Sequence, residues 1–216
     1  MDAIFESLPQ YWDGFLRTLF LAVVSGVIAL VIGTLLAAMR VSPVAALRGF
    51  STFYVEVARN TPLTIIFFFS AIVLPRLGVK FEQFEVAAII ALSSYTAAFV
   101  AEAVRSGVNS VPVGQAEAAR SVGMTFTQVL GLVVLPQALR TVVPPLINIM
   151  IALVKNSSVA GAFFVLELFG YGLQLSNSRG DAVMWILIGV AFFYLLITVP
   201  LGLLAHFVEK KVAIAR

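Results

Sequence analysis

Long apolar runs are the feature that most constrains this chain. The first, Phe15 to Met39, exceeds the roughly 20 residues that a helix needs to cross the hydrocarbon core of a bilayer. Of the 216 residues, 61% are hydrophobic and only 12% are charged. Soluble domains carry about 25% charged residues, so most of this surface must face lipid or other apolar helices. The sequence therefore predicts an all-α polytopic membrane protein.

Five transmembrane helices are predicted in all. The second is broken, because the amphipathic segment Val44 to Ala58 is separated by Arg59-Asn60-Thr61-Pro62 from the apolar run Leu63 to Leu74. A proline-broken helix is tolerated at membrane depth only where it faces protein or a cavity. The remaining spans are Val86 to Val104, the run that crosses from Gln137, and Ala182 to Phe207.

The run that starts at Gln137 contains a second polar interruption, Lys155-Asn156-Ser157-Ser158. Polar backbone flanked by apolar sequence favours a re-entrant bend over a water-exposed loop. We expect the chain to leave the membrane only at Gly170 to Asp181.

Charge placement predicts the orientation. Residues 1–14 contain acidic side chains and no Lys or Arg, so they do not resemble the basic start of a signal peptide. Five spans put the termini on opposite sides, and most basic residues then share the side of the C-terminus. By the positive-inside rule, residues 1–14 are an extracytoplasmic segment, 15–216 form the transmembrane domain, and a loop at about 112–136 and the C-terminus are cytoplasmic.

Composition also excludes several classes of function. The chain has no cysteine, and its single histidine, His206, is predicted to lie at the interface, because a metal site needs several converging ligands. The net charge of +3 comes from basic residues scattered at the ends of apolar runs, which fits lipid contact rather than nucleic acid binding. No Gly-Lys pair exists to begin a Walker motif, so any energy from ATP must come through a partner.

The predicted cytoplasmic loop carries a spaced motif. It runs from Glu117-Ala118-Ala119 through Gly123 to Leu135-Pro136. Small alanines let a helix press into a partner's groove, and Glu117 adds a charged anchor. Gly123 can take a positive φ and end that helix, and Pro136 favours a helix start or a kink.

This register resembles the EAA signature of ABC importer permeases, with Val133 where isoleucine is usual. Further segments resemble the polar amino acid family of these permeases, the histidine/glutamine permease type, and are most similar to its glutamate-uptake branch: Met39 to Pro43, Arg59 to Leu63, Glu102 to Gly107, Gln115 to Gly123, Leu135 to Arg140 and Ala152 to Ser158.

The resemblance implies a type I importer permease that works by alternating access and is not itself an enzyme. It implies a second permease subunit, a paralogue rather than an identical copy, a cytoplasmic dimer of ATPase subunits that binds ATP and Mg²⁺, and an extracytoplasmic substrate-binding protein. The substrate it implies is a polar amino acid, glutamate first. The ATPase-coupling residues are then Glu117, Ala118, Ala119, Gly123, Leu135 and Pro136.

The polar breaks near the middle of the membrane predict the substrate pathway: Thr61, Glu102, Arg105, Lys155, Asn156, Ser157 and Ser158. Cations suit a substrate carboxylate and Glu102 suits its ammonium. Glu102 and Arg105 equally fit a structural ion pair, and Lys155 equally fits the interface. For Thr61-Pro62 a simple helix start is the favoured alternative. Glu167 fits either contact with the binding protein or the cap of a short outer helix.

Two rival classes remain at this point. An intramembrane enzyme would need inward Ser/His, paired aspartates or a metal cluster, which the sequence does not offer. A channel or scaffold that works without ATP would show transport in membranes that lack an ATPase.

Overall fold

The structure is a computed structural model that describes residues 5–214, with side chains described as far as Lys211. These residues are almost entirely helical. The helices are α1 Leu8–Arg40, α2 Ala45–Asn60, α3 Leu63–Arg76, α4 Phe84–Asn109, α5 Val113–Ser121, α6 Phe126–Phe163, α7 Leu168–Ser178 and α8 Val183–Ile214.

Four of these helices, α1, α4, α6 and α8, are long and apolar enough to cross a membrane. The pair α2 and α3 also qualifies when taken together, and its axis bends by 105° at the break between them. Thr61 and Pro62 form this elbow in extended backbone conformations, as expected for a proline and the residue before it. Counting the bent pair as one span gives the five that the sequence predicts.

The contact between α1 and α4 lies at the centre of the fold. Its residues are small, including Ala29, Ala37, Ala97 and Ala101, all buried. At Gly33 a Cβ atom would stand 2.6 Å from the side chain of Val100, so the helices are as close as glycine permits. In membranes the hydrophobic effect does not drive helices together, so they associate through close backbone approach at small residues.

Large apolar side chains cover the outside of the protein. Met184 is 71% exposed and Leu203 is 67% exposed, both on α8. A surface of this kind is stable only against lipid or another apolar surface. The chain is therefore a multi-pass membrane protein.

The first span is longer than predicted. It begins at Leu8 rather than Phe15, since Pro9 in the first helical turn suits a helix start. Residues 8–14 of the predicted N-terminal segment are thus the first turns of α1, while residues 1–4 lie outside the described part of the chain.

Two predictions for residues 155–181, the end of α6 and the segment after it, were wrong. At the polar segment Lys155 to Ser158 the winding changes from α-helix, which ends at Asn156, to the 3-10 helix Ser157–Phe163, but the chain stays helical. The hydroxyls of Ser157 and Ser158 donate to the carbonyls of Val154 and Lys155. The turn comes later, at Phe164, whose φ is +66°. The predicted exit at Gly170 to Asp181 is mostly the helix α7, which Glu167 caps.

Candidate functional site

The EAA loop, residues 112–136, begins with α5. Glu117 and Ala118 are exposed on this helix, whereas Ala119 is buried against the rest of the protein. Gly123 has a φ of +89°, and its N–H donates to the carbonyl of Arg120. The prediction that Gly123 ends the helix is confirmed.

The helix after Gly123 does not start at Pro136. It starts at Phe126, because Thr125 and Gln128 form a capping box in which each side chain bonds the other's backbone N–H. The residues Val129–Val134 are wound as a π-helix, directly before Leu135 and Pro136. Pro136 therefore follows a locally widened turn inside a continuous helix, which removes the clash that proline causes in a regular one.

A side-chain contact ties α5 to α6. The Gln137 amide donates to Gln115 Oε1 at 3.0 Å and to the carbonyl of Val133 at 2.8 Å. A side-chain hydrogen bond thus connects α5 with α6 in addition to the chain itself.

The same loop exposes apolar side chains. Val122 is 78% exposed, Val113 72% and Phe126 68%. They lie before and after the exposed Glu117 and Ala118 in the sequence of the same loop. An apolar surface on a polar connecting loop marks an interaction site.

A cluster of arginines surrounds Glu102 in the second half of α4. Arg40 and Arg105 each donate to one oxygen of its carboxylate, and Arg59 Nη1 lies 3.5 Å from Glu102 Oε2. Arg40 also lies 3.7 Å from Glu56. We call Arg40, Arg59, Arg105, Glu56 and Glu102 the arginine cluster. It connects α1, α2 and α4.

Replacing Glu102 with Gln should destabilise the protein by about 2–3 kcal/mol, because three guanidinium groups lose the carboxylate between them. The magnitude is reduced from that of a fully buried pair, since the Glu102 side chain is 25% exposed. Thermal unfolding of the detergent-solubilised protein measures it.

Glu56→Gln is the matched control, because this side chain is 56% exposed and makes a longer contact. It should cost less than about 1 kcal/mol. Equal losses in the two variants would mean that Glu102 does not organise the cluster.

The remaining predicted pathway residues are dispersed. Thr61 lies at the elbow, where its hydroxyl donates to the carbonyl of Val57. Asn156 lines a cavity between α4 and α6. Lys155 is exposed, Ser157 is fully buried, and Ser158 is partly buried. The structure thus pairs Glu102 with Arg105 and places Asn156 at a cavity. Lys155 belongs neither to the ion pair nor to the lining of that cavity.

Sequence reasoning missed Arg40 and Arg59 as partners of Glu102. They were interpreted as charges at the ends of helices. The sequence could have indicated this pairing, because a carboxylate within the membrane needs cationic partners. Few other acidic residues are available to pair with these arginines. Their convergence depends on the 105° angle of the elbow at Thr61. The sequence indicates the break there but not its angle.

Glu167 resolves one open alternative, because it caps α7. It is fully buried, accepts hydrogen bonds from the N–H groups of Phe169 and Gly170, and also accepts from Tyr194 and Thr18 at 2.7 and 3.4 Å. Burial raises the pKa of the Glu167 carboxyl, and these four donors partly offset the effect. The residue joins the connection between α6 and α7 to α1 and α8.

No group of three or more His, Asp or Glu side chains in the described range 5–214 could hold a metal ion.

Comparison with known proteins agrees with this arrangement. Residues 11–214 match the family described as binding-protein-dependent transport system inner membrane component. The chain is 41% identical over 211 residues to the probable glutamine ABC transporter permease protein GlnM of Bacillus subtilis, covering 98% of this chain and 97% of the relative. It is 37% identical to the glutamate transport system permease protein GluC of Corynebacterium efficiens, covering 97% and 95%.

The fold has a solved counterpart. A crystal structure of an amino acid ABC transporter with histidines superposes with a TM-score of 0.89 at 28% identity, covering 95% of each chain. The resemblance to ABC importer permeases that the motif suggested is thereby confirmed. The chain belongs to the family of inner membrane components of binding-protein-dependent transport systems, and it is a permease subunit rather than an enzyme.

Proposed function

We propose that this chain is one permease subunit of an importer that moves a polar amino acid, glutamate or its amide glutamine, into the cell by alternating access. The observation that carries the proposal is the EAA loop. Its helix α5 is short, is exposed at Glu117 and Ala118, and is hydrogen-bonded to a membrane-spanning helix, and the loop exposes apolar side chains. Such an element receives force from a partner and passes it to the membrane.

The proposed partners follow from the absence of a Walker motif in the sequence and from the exposed EAA loop. It has no Walker motif, so ATP and Mg²⁺ belong to separate cytoplasmic ATPase subunits. A second permease, paralogous to this one in the glutamate-type arrangement, completes the pathway, and an extracytoplasmic binding protein delivers the substrate. The EAA loop and the C-terminus face the cytoplasm, and residues 1–14 face outward.

The substrate assignment draws on chemistry as well as on relatives. Relatives carry glutamine or glutamate in their names. The arginine cluster and Asn156 supply hydrogen-bond donors suited to the carboxylate and carboxamide groups of such molecules. Thr61, Ser157, Ser158 and Lys155 remain predicted pathway residues.

Reconstitution tests the proposal. Proteoliposomes that contain the two permeases and the ATPase subunits, with the binding protein outside, should accumulate L-glutamate or L-glutamine only when ATP is inside. Omitting the ATPase subunits should abolish uptake.

The same experiment examines the rival class. Downhill flux that persists without ATPase subunits would identify a channel and contradict the proposal. Absence of uptake of both amino acids by the complete system would refute the substrate class.

A further inference from the structure

A small cavity lies between α4 and α6, close to the arginine cluster. Its volume is about 130 Å³. The side chains that line it are Tyr95, Thr96, Phe99, Ile149, Ala152, Leu153 and Asn156. The wall is mostly apolar, and Tyr95, Thr96 and Asn156 are its polar residues.

Phe99 connects this cavity with the arginine cluster. Its ring forms part of the cavity wall, and the Arg59 guanidinium carbon lies 5.7 Å from the ring centre. The distance falls within the range of a cation–π contact, which holds a planar guanidinium against an aromatic face. Arg59 is therefore separated from the cavity by about one side chain.

The three arginines of the cluster differ in how closely they contact Glu102. Arg40 is largely buried, with 11% of its side chain exposed, and it bonds Glu102 directly. Arg105 bonds the same carboxylate from one helical turn away. Arg59 makes the longest contact, 3.5 Å, and its side chain is 38% exposed. Among these described contacts, that of Arg59 is the easiest to exchange.

Charge balance favours an additional anion. Three arginines and two glutamates give the cluster a net charge of +1 (3 − 2). If Arg59 moved away, Glu102 would keep Arg40 and Arg105. An exchange of partners by Arg59 therefore leaves no carboxylate uncompensated.

We propose that Arg59 binds the α-carboxylate of the transported amino acid, exchanging Glu102 for the substrate beside the cavity that Phe99 and Asn156 line. This inference rests on the proposed function, and it names the residue that would make the permease selective for the α-carboxylate of its substrate. Guanidinium binds a carboxylate through two parallel hydrogen bonds, which a lysine cannot reproduce. Glutamate and glutamine share the α-carboxylate, so one receptor serves both.

Paired probes isolate that carboxylate. L-glutamate is compared with isoglutamine, and L-glutamine with glutamine amide, because each pair differs only in an α-carboxylate replaced by an amide. Binding is measured by titration calorimetry on the complete permease–ATPase complex in lipid nanodiscs, without the binding protein. The wild type should bind the α-carboxylate member about tenfold to a hundredfold more tightly.

Arg59→Gln should remove that preference in both pairs, and Arg59→Lys should reduce it by about tenfold while keeping the charge beside Glu102. The lysine variant also keeps the test valid if the glutamine variant does not assemble. Arg48→Gln is the control and should keep the wild-type preference, because Arg48 is exposed and donates to the carbonyls of Ser42 and Pro43.

Two failures are distinguishable. If wild-type proteoliposomes import neither amino acid, the proposed function is wrong and the inference falls with it. If the wild type imports one of them and the Arg59 variants keep the preference for an α-carboxylate, only the assignment of Arg59 is overturned.

Discussion

Gly123→Pro should reduce ATP-driven uptake at least tenfold while the protein stays inserted in the membrane. Proline requires a φ near −65°, whereas Gly123 has a φ of +89° and uses its N–H to bond Arg120. Misplaced proline costs about 3 kcal/mol, more than the roughly 1.4 kcal/mol that changes an equilibrium tenfold. The backbone conformation that ends α5 should therefore be disrupted, and ATP hydrolysis should continue without transport.

Uptake and ATP hydrolysis are measured together in proteoliposomes. Gly123→Asn is the first control, because asparagine tolerates a positive φ and should keep most of the uptake. Gly114→Ala is the second, since the space around Gly114 is open and its φ is not positive. Normal coupling in Gly123→Pro would refute the role of the loop.

Glu117→Lys should also uncouple ATP hydrolysis from uptake, because it reverses the charge of the exposed residue that is expected to contact the ATPase.

Glu167→Leu should destabilise the protein by about 3 kcal/mol or more. The carboxyl is fully buried and accepts from Tyr194, Thr18 and two backbone N–H groups, and leucine leaves these donors without an acceptor. Each buried unsatisfied group costs about 1–3 kcal/mol. Thermal unfolding in detergent measures the loss.

Two variants calibrate this result. Glu167→Gln keeps one acceptor oxygen and should lose less than Glu167→Leu. Glu6→Ala removes an exposed carboxylate that pairs with Arg179 and should cost less than about 1 kcal/mol. A loss from Glu167→Leu no larger than that from Glu6→Ala would show that Glu167 does not hold α7 in place.

The sequence predicted the span architecture because the apolar runs are long and the break at Thr61-Pro62 is unambiguous. It also predicted the end of α5, since only glycine takes a φ of +89° at little cost. These features depend on local chemistry, which a sequence displays directly.

The failures had a different origin. Ser157 and Ser158 read as a polar break, yet their hydroxyls bond the preceding helical turn and remove the need for water. The polar run after Gly170 reads as a loop, yet α7 forms because Glu167 caps it.

The arginine cluster was only half predicted. Glu102 and Arg105 stand three residues apart on one helix, so their pairing is visible in the sequence. Arg40 and Arg59 reach the same carboxylate from two other helices, which depends on the close α1–α4 contact at Gly33 and on the 105° elbow. Contacts between distant segments of this kind are not encoded by spacing.

A single cysteine at Ala118 tests the central claim most directly, because the chain has no other cysteine and Ala118 is exposed on α5. The account predicts that Ala118→Cys crosslinks to the ATPase subunit and resists an impermeant maleimide applied from outside the cell, whereas Asn177→Cys on α7 reacts with that reagent. Labelling of position 118 from outside, or no crosslink to an ATPase subunit that is present, would contradict it.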